Sequence, residues 1–178
     1  MKIFIAGARA ITQLDDNVTG KLFSIYEKGY DVLVGDAIGV DSSVQKYYAK
    51  KAYSNLTVFT SNGEARNNFG NWKVESVAAK GKGNSFDFYT QKDVAMANRA
   101  DYGFMIWNGE SKGTLNNIIN LIAQKKVCLV YLTTHNQFFS IDNDEKCLKL
   151  LELCPKTAGS TYLKLTKYKK PLAQIAML

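Results

Sequence analysis

Short runs of continuous apolar residues recur along the chain, each followed by a stretch with helical spacing, and this alternation limits the possible folds. Lys2–Ala6, Tyr30–Val34, Leu56–Thr60, Asp101–Trp107 and Val127–Leu132 are each the length of a strand, and none alternates polar with apolar. A strand that is apolar on both sides is buried on both faces, as in a parallel sheet covered by helices. Between these runs, Val18–Lys28 places Leu22, Ile25 and Tyr26 at helical spacing and ends at Gly29. Val44, Tyr47, Tyr48 and Ala52 mark a second helix, Phe88–Asn98 a third, and Leu115–Gln124 a fourth, with Leu115, Ile118, Ile119 and Ile122 inward. The β-α-β rhythm predicts an α/β, Rossmann-like, doubly wound parallel sheet of about five strands in the order 3-2-1-4-5, with helices on both faces.

Residues 1–132 are expected to form this domain. Residues 61–86 break the rhythm and are long for a connection inside a compact unit, so they are expected to be a functional loop or lid. Arg66 between Ala65 and two asparagines favours ligand contact, while Phe69 and Trp72 suit anchoring. Residues 133–178 are expected to be a small C-terminal extension with a helix over Asp142–Cys154, an edge strand over Tyr162–Leu165 and a basic tail.

In an open parallel sheet, ligands bind beyond the carboxyl ends of the strands where strand order reverses. The loops that reach this rim hold the unusual residues. Gly7-Ala8-Arg9 follows the first strand, and Gly35-Asp36-Ala37-Ile38-Gly39-Val40-Asp41 the second. Trp107-Asn-Gly109-Glu110-Ser111-Lys112-Gly113-Thr114 joins the fourth strand to a helix. Glycines let backbone approach a ligand, and the first turn of a helix offers unpaired N–H groups that suit phosphate. Gly7, Arg9, Gly35, Arg66, Gly109, Ser111, Lys112, Gly113 and Thr114 are therefore the expected ligand- and phosphate-binding residues. The arginines supply planar donor forks. The spacing is neither a Walker loop nor GxGxxG, and equally fits a plain turn with a threonine cap. Asp36, Asp41 and Asp93 are the candidate catalytic carboxylates, although Asp41 also reads as a helix cap. Lys92 and Asp93, being adjacent, are expected on different sides of their helix. Trp107 reads as packing rather than as a base-stacking ring.

Composition narrows the function classes. Three cysteines (Cys128, Cys147, Cys154) and one histidine, without paired metal spacing, argue against a zinc site, and no metal or cofactor is expected. The cysteines suit a reduced, cytoplasmic setting. No apolar run reaches membrane-spanning length, and Met1–Gly7 reads as strand rather than signal peptide. The formal charge is +7, and Lys156, Lys164, Lys167, Lys169 and Lys170 face no acid after Pro155. Such a tail attracts polyanions, nucleic acid among them.

The paired loops Gly7-Ala-Arg9 and Gly35-Asp-Ala-Ile-Gly-Val-Asp41, with Ala100-Asp101 leading to Ser111-Lys-Gly-Thr114, resemble the SLOG superfamily. These are Rossmann-like domains named for the DNA-processing Smf proteins and the Lonely Guy phosphoribohydrolases. The resemblance implies a nucleotide or nucleotide-derived ligand in the crevice, with N-glycosidic bond hydrolysis or transfer as the chemistry where there is any, and a homo-oligomer, often a dimer. It departs from the phosphoribohydrolases at one position: Asn117 falls where their glutamate stands, and an amide cannot act as base or nucleophile. Glu110, Asp93, Asp36 and Glu64 are the possible replacements. The alternative is a non-catalytic nucleic-acid-binding module that uses the basic tail.

Overall fold

A computed structural model describes residues 1–80 and 85–167. The remainder of the long loop, 81–84, and the tail lysines Lys169 and Lys170 lie outside the described residues. In chain order the elements are β1 (Lys2–Gly7), α1 (Asp16–Glu27), β2 (Asp31–Gly35), α2 (Val40–Lys50), β3 (Leu56–Ser61) and β4 (Lys73–Val77). They continue with α3 (Phe86–Arg99), β5 (Tyr102–Trp107), α4 (Lys112–Ala123), β6 (Cys128–Leu132), β7 (Gln137–Ile141), α5 (Asp144–Leu151) and α6 (Lys156–Lys167).

The architecture is α/β and Rossmann-like. One sheet runs in the order β4-β3-β2-β1-β5-β6-β7, parallel except for β7, which pairs antiparallel with β6. The five apolar runs appear inside it in the expected order, and two edge strands extend it to seven. β4 falls within residues 61–86, which were expected as a loop or lid. It pairs with β3 from Thr57 opposite Lys73 to Ser61 opposite Val77. Tyr162–Leu165, expected as an edge strand, lies within α6, where Ala158 and Tyr162 turn inward at i,i+4 spacing.

Alternation along the strands builds two cores. Phe4, Leu33, Met105 and Trp107 face α3, α4, α5 and α6, whereas Ile3, Ile5, Val34 and Ile106 face α1 and α2. Local chemistry starts the helices: Asp15, Ser85, Ser111 and Asn143 each accept an N–H from the third residue on. Tyr48 is fully buried and donates its hydroxyl to Leu22 O at 3.1 Å, which locks α2 to α1. No helix among the described residues is long and apolar enough to cross a membrane.

Met96 is fully buried at the centre of the larger core and seats α3 on the sheet. Met96→Ala is expected to destabilise the fold by about 2–5 kcal/mol in urea unfolding, as large-to-small changes in packed cores do. A change below about 1 kcal/mol would mean that α3 is held by its ends rather than by its packing.

Candidate functional site

Between β1 and β5 the strand order reverses, and a crevice of about 530 Å³ opens beyond their carboxyl ends. Backbone approach sets its floor. A Cβ on Gly7 would lie 2.3 Å from Ile106 O and 2.6 Å from Val40 Cγ2, so only glycine lets β1 run so close to β5 and α2. Ala8 N–H then donates to Ile106 O at 3.1 Å.

One wall is the amino end of α4. Ser111 caps the helix by accepting the Thr114 N–H at 3.3 Å, and the Thr114 hydroxyl donates to the same oxygen at 3.0 Å. The cap is thus Ser111 and not Thr114. The N–H groups of Lys112 and Gly113 lie in the first turn and have no acceptor within the helix. One turn further in, Asn117 is only 3% exposed, lines the crevice, and its Oδ1 has no hydrogen-bond partner among the described residues. A buried polar atom without a partner is costly, and this one belongs to a residue of the crevice lining.

The opposite wall carries charge. Lys92 is 5% exposed, and its Nζ reaches back to Asp93 Oδ1 at 2.7 Å. The long lysine stem overcomes the angular separation of adjacent helical residues, so both side chains line the crevice instead of lying on different sides of α3. Burial disfavours the ammonium, but Asp93, Asp41 and Asp36 outweigh it and raise the Lys92 pKa. Asp41 sits over Gly35, where a Cβ would meet its Oδ2 at 2.3 Å and Lys92 Nζ at 2.8 Å. It does not cap α2, whose N-cap is Gly39; instead it accepts the Ala37 N–H at 3.3 Å. Burial pushes the Asp41 carboxyl up to about 6, with Lys92 opposing and Asp93 adding to the rise.

Gly7, Arg9, Asp41, Asp93, Ser111, Lys112, Gly113 and Thr114 are therefore brought together around one cavity, with Glu110 on its edge. Asp36, Gly35, Arg66, Gly109 and Glu64 do not line it. Asp36 is fully buried and accepts from Arg66 Nε (3.0 Å) and Nη2 (2.6 Å), the Arg66 backbone N–H (3.1 Å) and the Thr60 hydroxyl (2.9 Å). Burial works against this carboxylate, yet the Arg66 bonds outweigh it and hold its pKa below the usual value. Arg66 thus turns its Nε and Nη2 toward a protein carboxylate, and Asp36 is committed to that pair. Gly109 adopts a left-handed φ of +80° and turns toward Cys154 and Pro155, behind the rim.

Sequence reasoning missed the aromatic cover. Tyr89 and Phe86 of α3 line the mouth. The guanidinium carbons of Arg9 and Arg66 stand 5.3 and 5.1 Å from the Tyr89 ring centroid, and Lys112 Nζ is 3.8 Å from that of Phe86. Cations over ring faces are attracted by the ring quadrupole. Lys92 carried a readable signal, since it shares the inward stripe of α3 with Met96.

Two expectations follow. Arg66→Ala should lower stability at pH 7, because it strands a buried carboxylate. Asp36 has a depressed folded pKa, so its contribution is present above 3.8 and is lost as pH falls through the folded value. The gap in melting temperature between Arg66→Ala and wild type should then be widest near neutrality and shrink below about pH 4; a pH-independent gap would contradict the pairing. Sulfate affinity of the crevice should rise roughly tenfold between pH 7.5 and 5 as Asp41 takes up a proton, and Asp41→Asn should flatten that dependence.

No protein-family model matches the sequence, and no curated protein matches it. Among solved structures, the fold is similar to DNA processing protein A from Helicobacter pylori, a protein described by its single-stranded DNA binding mode. The TM-score is 0.56 at 14% identity, over 73% of this chain and 64% of that one, so the likeness concerns the fold and spans less than two thirds of the other chain.

Proposed function

We propose that the crevice between β1 and β5 binds the phosphate of a nucleotide or nucleotide-derived ligand. The observation that carries this reading is the pairing of two features on α4. Its first turn presents donors from Lys112 and Gly113, and one turn deeper Asn117 presents an acceptor with no partner among the described residues. A group with an anion at one end and a hydroxyl or N–H donor a few ångströms away satisfies both. Arg9 and Lys112 add positive charge, and Tyr89 offers a ring face to a planar base. The motifs shared with the SLOG superfamily support the same ligand class.

If the ligand is turned over at its N-glycosidic bond, Asp93 and Asp41 are the carboxylates that face it. Asp93 is ion-paired with Lys92, and Asp41 lies behind them. Asp36 is committed to Arg66.

A second reading is a nucleic-acid-binding module without catalysis. It is favoured by the fold likeness to DNA processing protein A and by the net charge of +7. In this reading the lysines after Pro155 contribute, of which Lys156, Lys164 and Lys167 lie on α6.

Titration calorimetry with adenosine monophosphate tests the first reading. Lys112→Gln and Asn117→Leu are each expected to weaken binding by about tenfold or more, in line with the loss of a charge-assisted contact or a buried acceptor. Equal affinity in both variants would remove the crevice from consideration. Chromatographic detection of released base, abolished by Asp93→Asn, would establish turnover.

A further inference from the structure

The outer faces of α1 and α2, away from the crevice, interleave aromatic rings with lysines. Phe23 on α1 is 44% exposed, and Phe69, in the segment between β3 and β4 that its N–H ties to Gln45 of α2, is 45% exposed, both high for such side chains. Phe23 stacks with Tyr26 at 6.1 Å between centroids, Tyr26 meets Tyr53 at 5.2 Å, and Tyr47 is half-buried beside them. Lys51 Nζ lies 5.0, 5.2 and 5.4 Å from the Phe23, Tyr26 and Tyr47 centroids, and Lys46 Nζ lies 4.9 Å from that of Phe69. Residues 46–51 read Lys-Tyr-Tyr-Ala-Lys-Lys, three cations without an acid, and the one acid of α2, Asp41, is buried. Glu27 is the acid near Phe23 on α1.

Core packing explains Tyr48 and Tyr53, which are buried and hydrogen-bonded to backbone. It does not explain Phe23 and Phe69, whose rings are nearly half in water. Exposed rings set among positive charges combine the two parts of a surface for single-stranded nucleic acid: faces on which unpaired bases stack, and cations that take the phosphates between them. A duplex would offer the cations its phosphates but keep its bases from the rings. A protein partner would need an acidic, apolar patch to match. A single strand supplies both complements in every nucleotide, and the charge complementarity favours it.

We infer that the α1–α2 face, through Phe23, Tyr47, Phe69, Lys46 and Lys51, binds single-stranded nucleic acid without base-specific readout. This rests on the nucleic-acid reading above but moves the binding surface from the C-terminal lysines to α1 and α2. It is separate from the nucleotide crevice.

Fluorescence anisotropy of the full chain with a labelled homothymidine oligonucleotide, across a salt series, tests it. Wild type should bind the single strand more tightly than the corresponding duplex. Lys46→Gln/Lys51→Gln should lower the slope of log affinity against log salt by about 1.4, at roughly 0.7 per lost phosphate contact. Phe23→Ala should weaken binding by about tenfold, and Phe23→Leu, which keeps an apolar side chain beside Tyr26 and so guards against misfolding, should weaken it similarly. Adenosine monophosphate binding in the crevice should be unchanged in all of these variants. Absence of any oligonucleotide binding by wild type at low salt would overturn the nucleic-acid reading and this surface together. Binding that survives in the α1–α2 variants but is lost in Lys164→Gln/Lys167→Gln or in Lys112→Gln would overturn the surface while leaving that reading intact. Equal affinity for duplex and single strand would also overturn it, since stacking would then play no part.

Discussion

The reversal of winding between β1 and β5 is the constraint from which the rest of the molecule follows. From β1 the chain builds outward through β2, β3 and β4 on one side, and later through β5, β6 and β7 on the other. The loops leaving β1 and β5 therefore diverge to opposite faces, and no helix fills the gap between their carboxyl ends. Polar groups collect there because the first turn of α4 and the Lys92–Asp93 stretch of α3 border the opening. Gly7 is needed because β1 must pass almost in contact with Ile106 before its chain turns away.

Two ionic groups tie the loops that border this opening, one half-exposed and one buried, and they differ in purpose. Asp36 and Arg66 form a pair in which the carboxylate accepts from Nε, Nη2 and the backbone N–H of the same arginine, joining the turn after β2 to the segment after β3. Asn67 extends the tie by donating to Asp36 O at 2.8 Å, while its own carbonyl accepts from Gln45. Such a network holds geometry. Asp41, Lys92 and Asp93 are unevenly matched: one ammonium is shared by more carboxylates than it can neutralise, and Asp41 is left with a raised pKa. That imbalance is tolerable beside a cavity and would be expensive in a sealed core.

Legibility from sequence followed burial. β1, β2, β3, β5 and β6 are central, so both their faces are apolar and their runs are plain. β4 (Lys-Val-Glu-Ser-Val) and β7 (Gln-Phe-Phe-Ser-Ile) lie at the edges with polar residues toward water, and five residues of that kind are hard to tell from loop. α6 was misread because Tyr-Leu-Lys-Leu alternates locally, although Ala158 and Tyr162 carry the helical period over a longer window. The rim could be located from glycines and strand ends, since topology alone directs those loops to one side. Partner choice could not: Asp36 and Arg66 are 30 residues apart, and each looks like a ligand group until the other is seen beside it. The length of a lysine stem likewise defeats an argument from helical angle alone at Lys92.

Trp107 is wholly enclosed at the end of β5, yet its indole N–H reaches out to Ser111 O at 3.1 Å. Asn108 Oδ1 accepts the Glu110 and Ser111 N–H groups at 3.2 and 3.0 Å, so the whole hinge between β5 and α4 is tethered from beneath. The N–H groups at the tip of α4 are accordingly fixed in direction, so the binding proposed for the crevice would forfeit little freedom. The interior and the rim then answer to the same indole: a change in how that ring is packed would re-aim the tip of α4 from inside, with no residue at the mouth altered.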